Sequence, residues 1–239
     1  MAPGKEIDPQ DAGGVILEGI GGVIPEDALA YWRDRKPVTS KEFAKLNEAA
    51  RARAFTVAGL ARQDLLADLH ASLLEAMKNG ETFAQWKKRI PHILEEAGWT
   101  GARIETIFRT NVQTAYMAGR YKQMKEVSKS RPYWQYIAVD DDRTRPSHAV
   151  LNGMVFPVDH AFWMTNYPPN GFRCRCTVRS LSARQVEKMR LEVQTEIPHG
   201  LLYIHPVTGM ETPIASVMPD KGFAVNPAVS WLEGLSQAA

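Results

Sequence analysis

Disulfide chemistry, membrane spanning and a strong charge of one sign are all missing from this sequence, and each absence removes a class of protein. The chain has only 2 cysteines in 239 residues, Cys174 and Cys176. That count provides no disulfide framework and agrees with a reducing compartment. Residues two apart in an extended strand are also poorly placed for a bridge to each other. No window approaches the roughly 20 apolar residues of a membrane span. The start, MAPGKEIDPQ, lacks the positive run and apolar core of a secretion signal. Together these predict a soluble protein that acts inside a cell without a membrane partner. With 29 Lys and Arg against 27 Asp and Glu, the net charge of +2 argues neither for nor against a nucleic-acid partner. A Gly-rich phosphate loop, a serine nucleophile elbow and a metalloprotease helix motif are missing too, so the chain reads as a non-enzyme.

What is present is long enough for a sizeable core, as one domain with extensions or as two small ones. Residues 1–24 are Gly-rich and irregularly apolar, which predicts an arm that orders on a partner or packs loosely. Pro25, Glu26 and Asp27 open a short helix carrying Leu29 and Trp32, and Pro37 ends it. Thr39 with Glu42 matches a capping box and predicts a long helix through Phe43, Leu46 and Ala50. Leu65, Leu66, Leu69, Leu73, Leu74 and Met77 repeat at helical spacing until Asn79-Gly80. Thr82 with Gln85 repeats the capping signal before Phe83, Trp86 and Ile90, with Pro91 and Gly98 as limits. His70 and His92 fall in these helices and read as surface or satisfied residues. Ile104, Ile107, Phe108, Val112, Ala115 and Tyr116 form the stripe of the next helix. Arg109 and Asn111 lie at its edge, where they are expected to brace the acidic loop at Asp140, Asp141 and Asp142. Ser182 caps a helix through Val186 and Met189. Beyond Ile197, repeated Pro and Gly predict an extended or hairpin-like tail anchored by Tyr203, Ile204, Phe223 and Trp231.

The chemistry concentrates between Asp140 and Cys176. Tyr133 to Val139 and Met154 to Phe156 read as short strands, and Pro146 as the first turn of a short helix ended by Asn152-Gly153. Phe172, Cys174, Cys176 and Val178 alternate with Arg173, Arg175, Thr177 and Arg179, the period of a half-buried strand with both thiols inward. Two readings stay open for the thiols. One is a zinc site of Cys174, Cys176 and His148, with a fourth ligand from His160, Asp159 or the three acids. The other is a pair of small apolar core residues. A thiol nucleophile beside His148 or His160 would need exposure that the inward pattern denies it. The segment from Ile104 to Arg190 is rich in Arg and Lys, whereas residues 1–30 are acidic. A basic face there suits packaged DNA or an acidic protein ring, and suits equally an ordinary solvated surface.

Several separated motifs then bear a resemblance. These are Ile107-Phe108-Arg109-Thr110-Asn111 with Ala115-Tyr116 and Gly119-Arg120, then Asp142-Arg143-Thr144-Arg145-Pro146-x-His148. Leu151-x-Gly153-x-Val155-Phe156, Phe162-Trp163 and Tyr167-Pro168-Pro169-Asn170-Gly171-Phe172-x-Cys174-Arg175-Cys176 follow in order. Together with the Ala28 to Lys36 helix and Ala54-Phe55-Thr56-Val57-Ala58-Gly59 further back, these motifs make residues 25–182 resemble the phage Mu F-like family of head morphogenesis proteins. Many of that family carry Cys-x-x-Cys where this chain has Arg145-Pro146-Ser147-His148, which leaves His148 as the one ligand type there. The resemblance implies an α+β fold: a helical region packed with a small antiparallel sheet of about three strands, and an extended tail. It implies an arm with a short helix over 1–38 and a head morphogenesis domain over 39–190, helical to 128 and sheet-bearing over 129–180. A Pro/Gly-rich tail would occupy 191–239. It also implies a minor head protein acting with the portal protein and other head proteins, in the host cytoplasm and then the virion head, with packaged DNA as a further partner. A toxin-like or zinc-dependent enzyme module and a DNA-binding head component are the alternatives.

Overall fold

The computed structural model describes residues 24–47, 50–51, 53–197 and 199–238; of the arm expected over residues 1–24, all but the buried Ile24 lies outside them. Helix α1 (Glu26–Asp34) follows Pro25 and buries Ala28, Leu29, Tyr31 and Trp32. Strand β1 (Lys36–Pro37) pairs in parallel with β2 (Ala54–Phe55). Between them the Thr39 capping box forms as expected, with Glu42 Oε2 accepting from the Thr39 N–H at 2.8 Å. The long helix predicted from it does not: α2 covers Ser40–Phe43 only. The Asn47 side chain accepts from the Ala50 N–H at 2.9 Å, a new cap that starts a separate turn.

Helices α3 (Gln63–Lys78) and α5 (Pro91–Ala97) end at Asn79 and a left-handed Gly98, as expected, and the Thr82–Gln85 capping box is formed; α4 (Phe83–Arg89) stops just before Pro91, with Ile90, expected in its stripe, as the residue between the two helices. They pack around α6 (Gly101–Glu126). Trp86 is buried with its ring 5.0 Å from Phe108, and its indole N–H donates to Ser72 at 3.1 Å. His70 is satisfied: it stacks on Trp32 at 4.8 Å, its Nε2 meets the Trp32 carbonyl at 2.9 Å, and Trp32 Nε1 donates to the His70 carbonyl at 3.0 Å. Helix α1 crosses α6 at Gly119, where an added Cβ would stand 2.5 Å from the Ala28 nitrogen. Only hydrogen fits between those backbones.

The small sheet is antiparallel and three-stranded, with β3 (Tyr133–Ile137) between β4 (Val155–Pro157) and β5 (Thr177–Leu181). The α6 side chains are tied to the chain entering and forming β5. Gln113 Nε2 donates to the Cys176 carbonyl at 2.7 Å and Arg120 Nε to the Val178 carbonyl at 2.6 Å. The expected strand from Phe172 is shorter than its alternation suggests. Arg173 takes a left-handed φ of 58° and its N–H donates to Thr110 Oγ1, while the Cys174 N–H reaches back to the Gly171 carbonyl. This turn leaves Phe172 57% exposed against Phe223 instead of inside, yet both cysteines remain buried.

Two short helices, α7 (Pro146–Ala149) and α8 (Phe162–Thr165), flank β4, and Ser182 caps α9 (Ala183–Lys188) through a capping box with Gln185. The tail is less extended than expected. Strands β6 (Leu202–Ile204) and β7 (Glu211–Pro213) form a hairpin, and α10 (Pro227–Ala238) packs back on the core. Trp231 lies edge-on to Tyr31 at 5.6 Å and donates to Asp34 at 2.7 Å. Tyr203 is buried, whereas Ile204, expected as an anchor, is exposed. Among the described residues no helix is long and apolar enough to cross a membrane.

Candidate metal centre

His148 comes from α7, which Pro146 opens at its first position and which points the imidazole inward. Cys174 and Cys176 come from the loop that leads into β5. Three ligand atoms, one from each residue, lie within 4.8 Å of one another, and all three residues are buried. His148 Nδ1 stands 3.7 Å from Cys174 Sγ and 3.8 Å from Cys176 Sγ. A tetrahedral zinc with bonds of about 2.3 Å to sulfur and about 2.0–2.1 Å to nitrogen separates such atoms by about 3.6 Å. The donor set and its spacing therefore fit three of the four positions of a tetrahedral zinc, all of them buried, and among the described residues no fourth His, Cys, Asp or Glu joins them.

The electrostatics point the same way. The Cys176 thiol hydrogen-bonds the Cys174 sulfur and, with His148, draws Cys174 well below the ordinary thiol range. That same bond and then burial push Cys176 well above it. One ionisation is easy and the second is opposed by the first, a conflict that a dication between the sulfurs would relieve.

Between the two inward thiols, Arg175 turns outward to Asp141, with Nη1 2.8 Å from Oδ2 and Nη2 in contact with Oδ1. Arg143 adds an ion pair at 3.1 Å and Thr144 a hydroxyl bond at 3.2 Å. The Arg175 guanidinium, ahead of Arg143, holds the Asp141 carboxyl far below the usual carboxylate range. The acidic loop is thus clamped by Arg175 and Arg143. Arg109 and Asn111, expected to brace it, do other work: Arg109 pairs with Glu105 at 2.7 Å, and Asn111 donates to the Ile107 carbonyl and accepts from Arg35.

His160 is not in the cluster. Its Nδ1 accepts from the Phe162 N–H at 3.1 Å and its Nε2 meets the Thr195 carbonyl at 2.9 Å, so both ring nitrogens are engaged in holding the turn into α8. Asp140, Asp142 and Asp159 are exposed, and none of them joins the three donors. Arg145 turns toward the tail, donating to the Phe172 carbonyl at 3.0 Å and pairing with Asp220 at 3.4 Å over Gly171. Gly153, at a φ of 85°, donates to the Tyr136 carbonyl and turns the chain into β4. Pro169 and Asn170 are buried. Two groups at this site were not singled out as chemistry from sequence. Tyr136 is buried on β3, and Asn170 Nδ2 donates to its hydroxyl at 3.1 Å.

Residues 67–179 match the family model described as Phage Mu protein F like protein. The chain carries a Mu F-like domain. That domain runs from α3 to β5 and contains His148, Cys174 and Cys176. The chain is also 35% identical over 237 residues to "Putative capsid assembly protein F" of Escherichia phage Mu, covering 85% of this chain and 54% of that protein. It is 34% identical over 214 residues to "Mu-like prophage FluMu F protein" of Haemophilus influenzae, covering 80% and 51%. The chain therefore spans about half the length of these two Mu F-like relatives. No solved structure matches it.

Proposed function

We propose that this chain is a minor head protein of a tailed phage or prophage, acting with the portal protein and other head proteins as the head is built. Assembly would take place in the host cytoplasm, and the protein would stay in the virion head. The observation that carries this reading is the 35% identity, across 85% of the chain, to a protein named for capsid assembly. A structural and non-catalytic role agrees with the burial of its most reactive side chains, Cys174 and Cys176. Contact with packaged DNA belongs to the same proposal, and rests on the Arg- and Lys-rich segment from Ile104 to Arg190.

Within this reading His148, Cys174 and Cys176 hold a structural zinc. The ion would pin α7 to the start of β5, joining chain segments that the sheet alone leaves as loops. Elemental analysis of the purified protein is expected to give about one zinc per chain, lost in Cys174→Ser; a well-folded, zinc-free wild type removes the zinc. The head role is tested by inactivating the gene in a phage or prophage that carries it. The expected result is loss of filled heads, with the protein co-purifying with portal complexes from the wild type. Normal yields of filled heads without the protein would overturn the proposal.

A further inference from the structure

We propose that the cleft between α10 and the β1–β2 pair is a docking site for an acidic, apolar segment of another head protein. That the partner is a head protein rests on the function proposed above; the chemistry of the cleft does not. The three metal-ligand candidates take no part in it, since none of them lines the cleft.

The cleft measures about 380 Å³, at the small end of ligand pockets, with room for a few side chains rather than a folded surface. Val38, Leu46, Trp231 and Leu235 supply its apolar lining. Trp231 is fixed in place, edge-on to Tyr31 at 5.6 Å and with its indole N–H donating to Asp34 at 2.7 Å. Leu235, further along α10, is 43% exposed and forms an apolar lip. The charge in the cleft has no answer within the chain. Lys36 and Arg53 both line it, and the strand ladder holds them together, the Lys36 N–H donating to the Arg53 carbonyl at 3.0 Å. Among the described residues neither side chain has a hydrogen-bond or ion-pair partner. Arg35 shows the contrast: its guanidinium is engaged by the Ala54 carbonyl and by Asn111. Among the described lining residues Asp34 is the one acid, and it already accepts from Trp231. Two cations against one acid leave the lining net positive.

Gly234 sharpens this reading. Glycine is a poor helix former, yet it lies inside α10, where an added Cβ would stand 2.5 Å from Arg53 Nη1. The bare backbone lets the guanidinium lie against the helix, next to the apolar lining and with its donors open. Like charges held on neighbouring strands repel. A carboxylate on the guanidinium, close to the ammonium, relieves that repulsion through charge-assisted hydrogen bonds. An apolar side chain next to that carboxylate would fill the space along Trp231 and Leu46. A nucleic acid offers phosphates to the two cations but nothing to the apolar lining, whereas a peptide with an acid beside an apolar residue offers both.

The test uses the full chain and labelled, short overlapping peptides that tile the portal and other head proteins of a phage or prophage carrying the gene, read by fluorescence anisotropy. Unrelated acidic, apolar peptides, a peptide of this chain's own residues 1–23 and a short DNA duplex serve as comparisons. The tightest tiles are expected to carry Asp or Glu beside a large apolar residue. Arg53→Glu is expected to weaken them about tenfold or more. Gly234→Ala should weaken them by a smaller factor while its urea midpoint stays level or rises, because the new methyl displaces the end of a flexible side chain and not the helix. That pairing separates loss of the site from loss of the fold. No binding by any peptide, or binding that survives Arg53→Glu, would overturn the site and leave the head role, which rests on sequence identity, standing. Arg53-dependent binding of the unrelated peptides with none of the tiles would overturn the head-protein partner alone. A stronger response to residues 1–23 than to any tile would overturn it in favour of the chain's own segment, and displacement of the peptide by the duplex in favour of DNA.

Discussion

Where α1 crosses α6 the chain is held by apolar side chains and by bare backbone at Gly119, whereas around Cys174 it is held by polar groups reaching across loops. In the helical layer, buried residues such as Leu65, Leu66, Leu69 and Leu73 recur at helical spacing on α3, and the Thr82 and Thr100 side chains cap the starts of α4 and α6. In the site layer, regular structure is scarce. Arg175 to Asp141, Arg145 to the Phe172 carbonyl, Gln113 to the Cys176 carbonyl and Asn170 to Tyr136 do the holding. Burial of an apolar stripe tolerates small shifts because it has no direction. A polar clamp does not, since a buried donor that loses its partner costs about 1–3 kcal/mol. The site layer is therefore the part whose geometry is specified one atom at a time, as a ligand set requires.

The largest effect expected from a single change in the helical layer comes at Gly119. Alanine there gains about 1 kcal/mol of helix propensity, but its Cβ would meet Ala28 N at 2.5 Å, Ala28 Cα at 2.9 Å and the Asp27 carbonyl carbon at 3.0 Å. All three are backbone atoms, so no side-chain rotation relieves them and α1 must move as a unit. Gly119→Ala is expected to lose about 1–3 kcal/mol net, read from urea unfolding, with zinc affinity within about twofold of wild type. A drop in zinc affinity of tenfold or more would mean that the two layers are not separable.

The same contrast decides what could be read from the residues alone. The capping boxes at Thr39 and Thr82, the stops at Asn79-Gly80 and Gly98, and the strands at Tyr133 and Val155 are each set by chemistry within a few residues, and all were legible. The strand drawn back to Phe172 was wrong because its alternation is local, while the turn at Arg173 is held by Thr110, far away in sequence. The long helix from Thr39 failed for a nearer reason, the competing cap at Asn47. Helix α10 was hidden by the surrounding prolines and glycines; it depends on Asn226, whose side chain accepts from the Ala228 N–H at 3.0 Å, and on Trp231 against Tyr31. Of the ligand candidates named from residue type, His148, Cys174 and Cys176 are the three that the fold brings together. His160 has the same chemistry but is engaged in shaping a turn, and Tyr136 enters the site only through strand pairing.

A smaller effect, and one with a pH signature, belongs to Asp141. Folding lowers its pKa, so the folded chain binds this proton less readily than the unfolded chain. Its contribution is whole above the unfolded value of about 3.9 and is lost as the pH falls through the lower folded value. Asp141→Asn is expected to cost about 1 kcal/mol near neutrality, in keeping with charge-assisted bonds at a partly exposed site. The gap between variant and wild type should narrow steadily below about pH 4. A gap that stays constant down to pH 2 would mean that the carboxylate's charge contributes nothing, leaving only its shape.

The smallest effect is the sharpest test of how the two layers meet. Arg109 sits on α6 within the stretch that faces the site, and its position invites the view that it braces the acidic loop. Its contact is instead Glu105, one turn earlier on the same helix, at 2.7 Å and partly exposed. Such an i,i+4 pair contributes about 0.3–0.5 kcal/mol. Glu105 would not be orphaned by the loss, because Arg173 also pairs with it. Arg109→Ala is therefore expected to lie within about 0.5 kcal/mol of a change at the exposed Lys129, measured by the same urea midpoints. A loss of 2 kcal/mol or more would show that Arg109 carries load between helix and loop, and that the Arg175 clamp is not the main tie of the site to the rest of the chain.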